Sequence, residues 1–186
     1  MKKPYPVKRK GKVGCFLVLL AVWLWAGSAC SRQPPELASF EESLVHVTLW
    51  LEKDAQGQAY LAAKFTPTQA GYHLYSKDIP TDGVDGLGRP TRIALTGAST
   101  LQPAGALRCD QTPLREALRA DLPELRVYPA GPVTLRLPVT LPAGKTSWND
   151  EAAITYMACK GNTCKKPVVN RVIPLQIDIE KQAPSR

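Results

Sequence analysis

Cys159 and Cys164 are the residues best suited to chemistry here, because only Lys160, Gly161, Asn162 and Thr163 separate them. The Gly-Asn pair at the centre of that spacer lets the backbone double back, so the two sulfurs can meet and a Cys159–Cys164 disulfide is expected. Such a pair can serve as a staple, exchange with another disulfide, or hold a soft metal. As a staple it is modest, since closing a loop of about six residues is worth roughly 2 kcal/mol in the chain-entropy account. Lys160, Lys165 and Lys166 flank the sulfurs, and nearby positive charge favours the thiolate that exchange requires. Cu(I) capture would use both sulfurs with Met157 or His73, which suits a soft ion. No further Met, His or Cys cluster lies nearby, so no metal or other cofactor is expected.

The remaining cysteines have different meanings, and export decides them. Lys2, Lys3, Lys8, Arg9, Lys10 and Lys12 precede an apolar stretch from Val13 to Ala29, and the small residues Gly27, Ser28 and Ala29 lead into Cys30. This is the layout of a secretory signal over residues 1–29. Ser28, Ala29 and Cys30 resemble the end of a bacterial lipoprotein signal, which makes Cys30 the expected lipidation site and gives the chain a membrane anchor. Ordinary cleavage near the small residues and a retained membrane segment are the alternatives. Residues 30–39, with Pro34 and Pro35, read as a tether, 40–180 as one domain, and 181–186 as a tail. Export places the domain in an oxidising compartment, where a close cysteine pair is normally joined. Cys109 is left as an odd thiol, either buried or open to a partner.

Charge and motif content remove several classes of function. Of the formal +8, six positive charges lie in the basic run ahead of Val13, and without them the balance is +2. That is too little for the phosphate-neutralising stripe of a nucleic-acid binder, so no nucleic-acid partner is expected. His46 and His73 have no nucleophile motif beside them, and neither a phosphate-binding glycine loop nor a dinucleotide fingerprint is present.

The elements that must position the cysteines are strands. Val133, Leu135, Leu137, Val139 and Leu141 alternate with polar residues and Pro138, and Val45 to Leu51 and Ile173 to Ile179 follow the same period of two. Pro138 argues for an edge or a bulge. Ala59–Phe65, Tyr72–Ser76, Thr91–Thr96 and Ala152–Ala158 bring the set to about seven strands bounded by turn residues, as in an all-β, immunoglobulin-like antiparallel sandwich. One short helical insertion is expected over Thr112–Ala120, with Thr112 as cap and Pro113 in the first turn.

The stretch Ile154-Thr-Tyr-Met-Ala-Cys159-Lys-Gly-Asn-Thr-Cys164-Lys-Lys-Pro167, running into Val172-Ile-Pro-Leu175, resembles the N-terminal periplasmic domain of the thiol:disulfide interchange protein DsbD, the disulfide bond corrector-like domain. Gly71-Tyr-His-Leu-Tyr75, Pro90-Thr-Arg-Ile93 and Leu135 to Leu141 fit in the same order, and together the similarity spans most of Leu44 to Ile179. The resemblance implies a module that takes electrons from a membrane-embedded donor and passes them to periplasmic disulfide or thioredoxin-like proteins, possessing protein-disulfide reductase character. It implies that Cys164 forms the mixed disulfide and Cys159 resolves it, with Tyr75 and His73 on the flanking strand. The family shields its pair with an aromatic cap, commonly Phe, whereas no Phe follows Phe65 here, so Leu122, Leu125 and Tyr128 are the candidate caps. The competing reading is a binding or assembly domain in which the same bond only secures a turn.

Overall fold

In the computed structural model, the described residues are 34–114 and 120–182. The strands are β1 (Glu36–Glu42), β2 (Val45–Lys53), β3 (Ala59–Pro67), β4 (His73–Leu74), β5 (Arg92–Leu95), β6 (Gln102–Pro103), β7 (Arg108–Cys109), β8 (Val133–Thr140), β9 (Ser147–Tyr156), β10 (Ala158–Lys160), β11 (Thr163–Cys164) and β12 (Val168–Asp178). One turn of helix, α1 (Ile179–Gln182), follows β12. One sheet has the order β1-β2-β3-β8-β6, with β7 also on β8. The other strands form the ladders β12-β9-β5 and β11-β10-β4. Met157 alone separates β9 from β10, so these two ladders share one interrupted strand. Every ladder is antiparallel, in keeping with the immunoglobulin-like sandwich.

Alternation explains the core. Val45, Val47, Leu49 and Leu51 on β2 meet Ile154 and Tyr156 on β9 and Ile173, Leu175 and Ile177 on β12 in one apolar cluster. The ring of Phe65 stands edge-on to that of Tyr156, at 5.7 Å between centroids. Asp150 on β9 is a buried carboxylate that five donors satisfy: the Ser99 and Thr100 hydroxyls, the Trp148 indole, and the backbone N–H groups of Thr100 and Glu151. Burial alone would raise its pKa, but the hydrogen bonds outweigh it and hold the carboxyl at about 2.

Several expectations shift in detail. The domain begins at Glu36, because β1 pairs along β2 and Leu37, Ala38 and Phe40 pack on the core, so residues 36–39 of the expected tether are strand. The last strand stops at Asp178, whose carboxylate accepts the N–H groups of Glu180 and Lys181 and so caps α1, taking Ile179 out of the strand. Pro138 lies inside β8 between β3 and β6. Its carbonyl accepts the Ala104 N–H, so the side on which it lacks a donor faces only the two-residue β6. The signal, the Cys30 lipid site and residues 115–119 of the expected helix lie outside the described residues.

Candidate thiol–disulfide site

The cysteine pair is built by a tight hairpin. β10 and β11 pair with Cys159 opposite Cys164 and Lys160 opposite Thr163, which leaves Gly161 and Asn162 as a two-residue turn. Gly161 has φ of 55°, the positive value that such turns demand at their first central position. Opposite residues of an antiparallel pair share a face, and the sulfurs are joined at 2.02 Å with the Cα atoms 4.1 Å apart. The Lys165 N–H donates to the Ala158 carbonyl at 2.9 Å and closes the hairpin beyond the cysteines. The two sulfur-bearing residues differ in exposure: Cys159 is fully buried, whereas Cys164 is exposed.

Behind Cys159 is a small apolar cluster distinct from the main core, made by Tyr75, Ile79, Val84, Leu122, Leu125 and Val127, with Met157 packed against it. Leu122 and Leu125 therefore accompany Cys159, while Tyr128 belongs to the main core, where its hydroxyl accepts the Lys77 N–H at 3.0 Å. The Tyr75 hydroxyl is 3.3 Å from Cys159 Sγ, and burial pushes its phenol pKa up. Tyr75 is held in turn by the Thr91 hydroxyl, which donates to its carbonyl at 2.7 Å, and by bridges to Pro90 and Val127. These bridges replace the continued strand expected through Ser76, so β4 is only His73 and Leu74.

β4 pairs with β10 so that His73 is opposite Cys159 and Leu74 opposite Ala158. His73 thus shares the cysteine face with Tyr75, whose ring stands edge-on to it at 6.0 Å, and Leu74 turns into the main core. The imidazole is buried, its Nε2 has no hydrogen-bond partner, and burial draws its pKa below the ordinary value. The Lys165 ammonium lies 5.9 Å from the centroid of the Tyr72 ring, a residue of the main core. Lys160 donates to the Ala70 carbonyl at 3.1 Å.

Cys109 is half-buried on β7, where its sulfur accepts the Gln111 N–H at 3.4 Å. Burial pushes this thiol up, against a lowering hydrogen bond with Tyr128. Among the described residues no three His, Cys, Asp or Glu side chains converge as a metal site, and the joined sulfurs present no free thiolates. Sequence reasoning missed Ile79, Val84 and Val127, and it missed Gly88 beside Tyr75. The signal available was the run of turn residues at Gly83, Gly86 and Gly88 followed by Arg89, whose guanidinium gathers the carbonyls of Asp82, Gly86 and Gly88.

No family model matches the chain. No curated protein matches it either. Among solved structures it is similar to the crystal structure of the N-terminal periplasmic domain of ScsB from Proteus mirabilis, with 12% sequence identity and a TM-score of 0.43. That likeness covers 82% of this chain and 55% of the other, so this chain spans about half the length of that protein chain.

Proposed function

We propose that this protein is an exported, lipid-anchored thiol–disulfide exchange module of the periplasm, relaying electrons through Cys159 and Cys164. The observation that carries the reading is the unequal exposure of one disulfide: Cys164 is open to solvent and Cys159 is sealed behind it. Exchange proceeds by in-line attack of a thiolate on one sulfur, so access selects which sulfur is attacked. In the reducing direction a donor thiolate attacks Cys164, the Cys159–Cys164 bond breaks, and Cys159 leaves as a thiolate that the Tyr75 hydroxyl can hydrogen-bond. The donor's second thiolate then attacks its own sulfur in the mixed disulfide and releases Cys164, so two electrons have entered the pair. In the delivering direction the Cys164 thiolate attacks a partner's disulfide and expels one partner thiolate. Cys159 then attacks the Cys164 sulfur, restores the internal bond and releases the second. The partner class is a periplasmic disulfide or thioredoxin-like protein, and a membrane-embedded dithiol is the donor.

Two measurements test this. Titration against glutathione buffers should give a midpoint within the range of exchange proteins, roughly −120 to −270 mV, and a midpoint below about −300 mV makes the bond a staple. With a purified thioredoxin-like disulfide protein, Cys159→Ser should accumulate a mixed disulfide through Cys164, and Cys164→Ser should not. Equal trapping by both variants, or by neither, sinks the relay.

A further inference from the structure

Among the described residues, His73 is the one polar side chain on the buried flank of the pair whose contacts leave something unexplained. Its Nε2 is buried without a hydrogen-bond partner, a costly state for a polar atom unless another form of the protein supplies one. Register puts it directly across the ladder from Cys159, on the face that also carries Tyr75. Residues directly opposite in an antiparallel pair have Cβ atoms about 5 Å apart, within reach of an imidazole–thiolate contact.

We propose that His73 is the proton acceptor for Cys159 when the disulfide opens, so that the reduced pair rests as a buried Cys159 thiolate facing a His73 imidazolium. The step balances with a dithiol reductant. The reductant's two sulfurs join, the Cys159–Cys164 bond breaks, and two electrons enter the pair. Of the two protons released, one stays on the Cys164 thiol and the other goes to His73 Nε2, leaving Cys159 as a thiolate that also accepts the Tyr75 hydroxyl. When Cys159 later attacks a mixed disulfide at Cys164, His73 gives that proton to the departing partner sulfur. The unpartnered nitrogen of the oxidised state is thus the site that the reduced state fills.

The surroundings leave the thiolate few competing counter-charges. Among the described residues, the titratable or charged groups on the elements around His73 are Tyr75 beside it, Cys159 and Lys160 on β10, Cys164 on β11, and Tyr72 and Lys165, which pair with each other. The segment after Tyr75 adds Lys77, which pairs with the exposed Asp78, the exposed Asp82 and Asp85, and Arg89, which is taken up by backbone carbonyls. Along the other side of β4 run residues 121–131, where Tyr128 is buried and Asp121, Glu124 and Arg126 are exposed. The Lys160 ammonium is engaged by the Ala70 carbonyl. Burial opposes a lone charge on His73 but favours a compensated pair, and an adjacent cation brings thiols from about 8.5 down to roughly 3.5–7.5.

The inference deepens the exchange reading and rests on it only for its use, since its test needs no protein partner. NMR titration of the two histidines in the wild-type protein, oxidised and then reduced with dithiothreitol, should show the His73 imidazole pKa rising by at least one unit on reduction. In Cys109→Ser/Cys164→Ser protein, thiolate absorbance should report a Cys159 pKa at least tenfold more acidic than in the same background with His73→Gln. A His73 titration indifferent to redox state overturns the proposal, as does an unchanged Cys159 titration in a folded His73→Gln variant. A redox-linked His73 in a protein that traps no partner would leave this pairing intact and remove the relay instead.

Discussion

Gly88 runs so close beneath the Tyr75 ring that a Cβ on it would lie 2.9 Å from ring atoms Cδ1 and Cε1. Its φ of 74° adds a second reason for glycine at this position. Gly88→Ala should therefore combine backbone strain of about 1–2 kcal/mol with displacement of the ring that touches Cys159, for a total loss of about 2 kcal/mol or more. Urea unfolding of the oxidised protein measures it, and a loss under about 0.5 kcal/mol would contradict this account of the turn.

Tyr75→Phe separates packing from chemistry at the same contact. The ring stays and the hydroxyl 3.3 Å from Cys159 Sγ goes, so the oxidised fold should lose only about 1 kcal/mol. The reduced state loses a donor to its buried thiolate, which disfavours reduction. The midpoint of the pair should move to a more negative potential in glutathione buffers, and an unchanged midpoint assigns Tyr75 to packing alone.

Reduction should leave the sandwich folded. A loop of about six residues contributes only about 2 kcal/mol through its closure, whereas the core unites β2, β9 and β12 without help from the sulfurs. Dithiothreitol-treated protein should keep a cooperative urea transition, displaced by that amount. Unfolding on reduction would make the bond a structural necessity and exchange through it untenable.

Acid sensitivity should trace to Asp150. Its folded pKa of about 2 lies below the 3.8 of an ordinary aspartate, so the unfolded chain binds the proton more readily. The stability it contributes is fully present above about pH 4 and is lost as pH falls through its folded pKa. Asp150→Asn should lower stability at pH 6 and flatten the dependence between pH 4 and 2. Parallel curves for the two proteins would show that the carboxylate is not the responsible group.

Sequence disclosed the strands wherever one face had to be apolar, as along Val45 to Leu51 and Ile173 to Ile177, because burial on one side enforces the period of two. It also disclosed the hairpin, since Gly161-Asn162 is a local turn signal that needs no distant partner. The unequal exposure of the cysteines was not legible. Both project to one face, and what seals Cys159 comes from Ile79, Val84, Leu122 and Leu125, far off along the chain. The Asp150 network was hidden for the same reason, because Ser99 and Thr100 reach it from a turn some 50 residues away.

The hairpin that carries the sulfurs is fastened by main-chain pairing at Lys160 and Thr163 and by the Lys165 to Ala158 bond. Those fastenings do not involve sulfur, so the ladder can keep the two Cα atoms as neighbours whichever way the electrons stand. Opening and reclosing the bridge then asks for side-chain rotation and little travel of the backbone, which keeps the reorganisation that accompanies each turnover small.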